Sequence, residues 1–154
     1  MGKINFGRVL LGGIVAGLVA DVLGYVADGV ILNSQWTSAN KVLGIGAFST
    51  TQVIWFNVLG LFAGFITIWF YAACKPRLGT RYRTALNVAL AIWIVAYVLP
   101  NAAFMYITGL YPHNLMVLTT LGNLVEVLVG TFIGAAIYRE SAVVESAAPK
   151  AASV

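Results

Sequence analysis

Four apolar stretches occupy residues 9–32, 53–73, 85–107 and 115–137. Each exceeds the ~20 residues a helix needs to cross the hydrocarbon core of a bilayer. They lie in a chain of which only 9% is charged, against about 25% in a soluble domain. So few charges cannot clothe a water-facing surface. In lipid the backbone must satisfy its own hydrogen bonds, and a helix does so within one segment. The sequence therefore predicts an all-α fold, a four-helix transmembrane bundle over residues 1–140. The tail 141–154, rich in Ala and Ser with Pro149, reads as disordered.

Charge placement predicts the orientation. Lys3 and Arg8 precede the first stretch, Lys75, Arg77, Arg81 and Arg83 join the second to the third, and Arg139 and Lys150 follow the fourth. Lys41 alone lies on the other side. Basic residues concentrate on the cytoplasmic face, so both termini and the middle connection are expected inside, an N-in/C-in topology. The basic group around Pro76 suits anionic lipid headgroups better than nucleic acid, because Tyr82 is its only stacking surface. The first stretch is too long for the ~7–15 apolar residues of a cleaved signal and carries two aspartates, so it reads as a retained helix. Trp36 and the apolar residues 42–45 place part of the 33–52 connection at headgroup level, and Pro76 with Gly79 is expected to end the second helix in a tight turn.

On a helical wheel at ~100° per residue, each stretch gathers its small and polar residues on one face. The first has Gly13, Gly17, Ala20, Asp21, Gly24 and Asp28; the second has Asn57, Gly60, Gly64 and Tyr71. The third has Asn87, Ala91, Tyr97, Asn101 and Thr108, and the fourth Thr119, Gly122, Asn123, Glu126, Gly130 and Gly134. Lipid solvates leucine as well as another helix does, so association in a membrane relies on close backbone approach and interhelical hydrogen bonds. Gly13 with Gly17, Gly60 with Gly64, and Gly130 with Gly134 have the four-residue spacing this needs. These faces are the expected interior, and a surface on which a parallel homo-oligomer or a larger membrane complex could also form.

Three of the five acidic residues, Asp21, Asp28 and Glu126, fall inside the apolar stretches. Asp21 lies thirteen residues beyond Arg8 and Glu126 thirteen before Arg139, which at the helical rise puts each ~20 Å from a basic anchor. The two acids are thus expected at similar depth near mid-membrane, with Asn57, Asn101 and Asn123 in the outer half and Asp28 near the outer interface. No lysine or arginine lies at midspan. An acid there costs ~2.5–3.5 kcal/mol, so each must be protonated, hydrogen-bonded, hydrated or occupied by a cation. Asp21, Glu126, Asn57, Asn101, Asn123, Asp28 and Tyr97 are the candidate proton- or ligand-binding residues. The competing reading is a structural glutamate bonded to Asn101 or Asp21.

Pro100 removes a backbone donor in the third stretch and predicts a kink, with Asn101 placed to satisfy part of the defect. The strings Ala20-Asp21-Val22-Leu23-Gly24 and Ala96-Tyr97-Val98-Leu99-Pro100 are alike, as are Asn57 with Gly64 and Asn123 with Gly130. They suggest two parallel helix-hairpin halves. No catalytic motif is present, His113 and Cys74 are each single, and no metal-ligand spacing accompanies them. The expectation is a protein that is not an enzyme, with no cofactor and no metal.

The string Phe6-Gly7-Arg8-Val9-Leu10-Leu11-Gly12-Gly13, the 71–79 junction with Lys75-Pro76-Arg77, and Leu124-Val125-Glu126-Val127-Leu128 resemble small bacterial four-helix membrane proteins of unassigned activity. The resemblance implies the bacterial inner membrane and no particular reaction. In architecture the chain is also similar to small multidrug-resistance transporters, which carry an essential glutamate in their first helix. Here the first helix has Asp21 and the glutamate stands in the fourth. Two functions are therefore expected to compete: a small transporter or channel for protons, cations or a cationic solute, and a non-catalytic scaffold or accessory subunit.

Overall fold

The structure, a computed structural model, describes residues 4–140, so the expected disordered tail at 141–154 lies outside the described residues. These form four long helices and one short one, with no strand among the described residues. Helix α1 spans Phe6–Ile31, α3 Thr50–Leu78, α4 Arg81–Ile107 and α5 His113–Ile137, and all four are long and apolar enough to cross a membrane. The short helix α2, Asn33–Val42, fills the connection after α1.

Local chemistry sets the ends. Asn5 caps α1 by accepting from the Arg8 amide at 3.1 Å. Ser49 and Gln52 close a reciprocal capping box at the start of α3, so that helix begins three residues before the predicted apolar stretch. Its other end departs from expectation: α3 runs through Pro76 and stops only at Gly79. Proline removes a donor but leaves the preceding turns intact, whereas Gly79 takes φ 87°, which ends the helix at little steric cost. Gly79 and Thr80 alone then join α3 to α4.

Neither α1 nor α4 is regular throughout. The stretches Tyr25–Ile31, Ile94–Val98 and Ala103–Ile107 are π-helical, closed by wide bonds such as Leu32 N to Ala27 O at 2.9 Å and Thr108 N to Ala103 O at 3.1 Å. Two of these wide stretches flank Pro100 and take up its missing donor without breaking α4. Each wide turn also rotates the later part of the helix against the earlier part by roughly one residue, about 100°. This is why the stripe predicted for the third stretch does not stay on one face. Asn87, Ala91 and Thr108 are exposed, while Thr84, Ala85, Val88 and Ala89 are buried.

Around the bundle the order is α1, α3, α4, α5, with α1 and α4 at opposite corners. That is the arrangement two parallel hairpins would make. Burial is nevertheless unequal between them: Asn57 is exposed and Asn123 buried. The main core lies at the end of the bundle that carries the basic connection, and includes Val9, Ile68, Tyr71, Val88 and Ala135. There Tyr71 meets Tyr138 edge to face at 5.9 Å, and Lys75 pairs with Glu140 at 3.2 Å. A smaller core at the far end joins Leu32 and Ala39 to Leu115 and Met116.

Helix α1 is the hub, and glycine lets it be one. A Cβ at Gly13 would lie 2.5 Å from the Cα of Phe65, and one at Gly17 2.7 Å from the Cα of Leu61. One at Gly64 would meet the Gly13 carbonyl and lie 2.7 Å from the Cα of Gly17. On the other side of α1, a Cβ at Gly130 would lie 2.8 Å from the Ala16 carbonyl and one at Gly134 2.7 Å from that of Gly12. Backbone therefore touches backbone along both seams, the mode expected where burial of apolar surface gains nothing over lipid. The glycine faces thus pack within the chain.

Replacing Gly64 by leucine forces these seams apart. Gly64→Leu is expected to lower unfolding free energy in detergent by more than about 2 kcal/mol. Gly46, with no neighbour within 4 Å of its Cβ position, serves as control, and Gly46→Ala should leave stability within ~0.5 kcal/mol. Equal behaviour of the two would refute this account of the packing.

Candidate functional site

The two mid-helix acids are both seated on glycine. Asp21 projects from α1 onto α3, where its carboxylate occupies the place a Cβ of Gly60 would take. Glu126 projects from α5 onto α1, and a Cβ at Gly24 would lie 3.2 Å from its Oε2. Gly24 is three residues from Asp21 along α1, so the acids stand one turn apart on adjoining seams. Glycine offers a carboxylate room without a side chain to displace it. Sequence reading assigns these glycines to helix packing alone; Gly24 and Gly60 also form the seats of the acids.

Tyr97 of α4 lies within electrostatic reach of both acids, and Asp28 and Asp21 are both within reach of Glu126. Asn123 is buried one turn from Glu126 toward the far end, and Glu126 itself is 7% exposed. Asp21 is half-buried. Asp21 Oδ2 and Glu126 Oε1 are enclosed and have no hydrogen-bond partner. Among the described residues the only ion pair is Lys75–Glu140, so neither acid has a basic mate. No three of His, Cys, Asp and Glu come together to hold a metal ion among the described residues.

Three of the candidate residues stand apart from this pair. Asn101 donates to Thr120 Oγ1 at 2.8 Å, and not to Glu126, which removes Asn101 as the partner of a structural glutamate. It does not repair the Pro100 defect either. Asn57 is exposed and donates to the Val53 carbonyl of its own helix at 2.7 Å. Asp28 is engaged at the far end: its Oδ1 accepts from Trp36 Nε1 at 3.0 Å and from Thr119 Oγ1 at 3.1 Å. Asp28 thus fastens α2 across the end of the α1–α5 seam. Trp36 also meets Tyr111 edge to face at 5.3 Å, and Tyr111 meets Phe104 at 6.2 Å.

The participants that sequence reading missed are Trp36, Thr119 as a donor to Asp28, and the Trp93–Thr120–Asn101 group. Trp93 Nε1 donates to the Thr120 carbonyl at 2.8 Å. Thr119 and Asp28 are 91 residues apart in the chain, and no local pattern announces such a pair. For Trp36, eight residues from Asp28, the available signal was a donor returning over the same helix end.

Comparison with protein-family models, curated proteins and solved structures returned no match. The resemblance to small bacterial four-helix membrane proteins therefore rests on the quoted motifs.

Removing the Asp28 carboxylate leaves two donors without their acceptor. Asp28→Ala is expected to cost about 1–3 kcal/mol and to speed amide hydrogen exchange across Asn33–Val42. Asn57→Ala, which breaks no interhelical bond, should leave both unchanged. Unaltered exchange of α2 in Asp28→Ala would show that this carboxylate does not hold it.

Proposed function

We propose an integral membrane protein whose termini and Gly79–Thr80 connection face the cytoplasm, and which binds and passes protons or cations, a cationic solute included, through Asp21 and Glu126. One observation carries the reading: enclosed oxygens of two acids, one helical turn apart, lack both a hydrogen-bond partner and a basic mate. An acid held so in a membrane costs ~2.5–3.5 kcal/mol on the insertion scale. Uptake of a proton or a cation neutralises it. The nearby Tyr97 supplies a phenol that can donate to a carboxylate or accept from a bound cation. Nothing in the proposal calls for bond-making chemistry, so the role is not enzymatic.

The charge bias supports the orientation, because Arg8, the 75–83 group and Arg139 all lie at one end of the bundle. A second reading, a scaffold or accessory subunit of a larger complex, draws on the exposed half of α3. There residues 50–59 bury no face in the bundle, leaving a surface a partner subunit could cover.

In liposomes, Glu126→Gln and Asp21→Asn are each expected to reduce proton- or cation-coupled flux to background while melting as the parent does. Undiminished flux in both would remove the transport reading, and co-purification of a stoichiometric partner without flux would favour the second. For orientation, Thr80→Cys in a Cys74→Ala background should react with an impermeant maleimide from the cytoplasmic side only, and Ser38→Cys from the outside only. The opposite sidedness would invert the topology.

A further inference from the structure

Helix α3 is unequal along its length. From Gly64 to Ala72 it buries one face, at Gly64, Thr67, Ile68, Tyr71 and Ala72. From residue 50 to 59 every position is exposed, which is about three turns with no packed face. Its packing partners are Phe6–Gly24 of α1, Arg81–Trp93 of α4, and α5. It does not pack appreciably on the π-helical stretches that form the far ends of α1 and α4. The far half of the bundle is therefore open between α3 and α4.

Two residues place the acids relative to this opening. Gly60, which seats Asp21, is half-buried and marks where exposure begins. Asn57 lies three residues farther out on the same face as Gly60 and Gly64, and is exposed. Asp21 thus stands at the inner edge of the opening, with the more enclosed Glu126 behind it. The other approach, along the α1–α5 seam from the far end, is covered. There α2 is fastened by the Trp36–Asp28–Thr119 bonds and packed through Leu32, Ala39, Leu115 and Met116.

We infer that the acid pair is entered from the side, between the far halves of α3 and α4, with Asp21 met before Glu126, while α2 closes the end of the bundle. This rests on the reading of Asp21 and Glu126 as the binding pair. The exposed neighbours of Asn57 are apolar, among them Ile54, Phe56 and Val58, so the route opens to lipid. A lipophilic cationic solute would come from the membrane phase and a proton from its outer interface, and not down a water-filled axial vestibule.

Carbodiimides add covalently to protonated carboxyls, and the adduct is located by peptide mass spectrometry, a readout independent of transport. The full chain in lipid vesicles is treated with a lipophilic carbodiimide and, separately, with a water-soluble one. The lipophilic reagent is expected to modify Asp21 before Glu126 and at least roughly tenfold faster than the soluble one. Asn57→Trp, or Val53→Trp on the same face, should slow that labelling by roughly tenfold, and Trp36→Ala should leave it unchanged. Soluble-reagent labelling as fast as lipophilic, acceleration by Trp36→Ala, Glu126 labelled first, or no labelling at all would overturn the lateral route. Lateral labelling of a protein whose acid variants keep their flux would instead leave the route standing and remove the transport reading.

Discussion

Contact of backbone with backbone along α1 is the interaction on which the remaining structure depends. Gly13 and Gly17 meet the backbone of α3, and Gly12 meets Gly134 of α5. This approach supplies dispersion contacts that hold the helices, the kind of packing that would serve in lipid, where leucine gains nothing by leaving the medium. It also sets the positions of the acids. Asp21 and Glu126 reach the neighbouring helix at Gly60 and Gly24 because those seams are already narrow there. A larger residue at either glycine would push the carboxylate out of the interior or separate the helices, so packing and the polar site are one arrangement.

The two ends of the bundle do different work. At the basic end an aromatic and aliphatic core, with Tyr71 against Tyr138 and Lys75 paired to Glu140, ties α1, α3, α4 and α5 together. At the far end α3 stands away, and order comes from α2, Asp28 and the aromatic row through Trp36, Tyr111 and Phe104. The π-helical stretches of α1 and α4 fall in that same half. Wide turns have poorer hydrogen-bond geometry than α-turns and recur at functional sites. A firm base with a loosely packed far half suits the proposed role of the acid pair, which would require it to be loaded and emptied.

Much of this was legible in the sequence. Run length and charge scarcity predicted four helices, and these occur with ends within a few residues of the apolar stretches. The glycine stripes of the first, second and fourth stretches predicted the seams, because those helices stay regular where the stripes lie. The third stretch departs from its predicted stripe, because a helical wheel assumes a constant 3.6-residue turn. Pro100 and its flanking wide turns broke that assumption, leaving Asn87 and Ala91 outside and Thr84 and Val88 within. Pro76 with Gly79 is expected to end the second helix, and of the two only Gly79 does so, at a positive φ that glycine adopts readily.

The sequence by itself determined that the chain forms long apolar helices carrying acids with no basic residue at their depth. Periodicity and charge are local properties, readable without partners. Only the tertiary structure decided that Asp21 and Glu126 come together within one turn of α1, that Asp28 is engaged by Trp36 and Thr119, and that Asn57 lies outside the packed interior. Those outcomes depend on which helix faces which and at what depth, and that is settled by contacts between residues as far apart as Asp28 and Thr119.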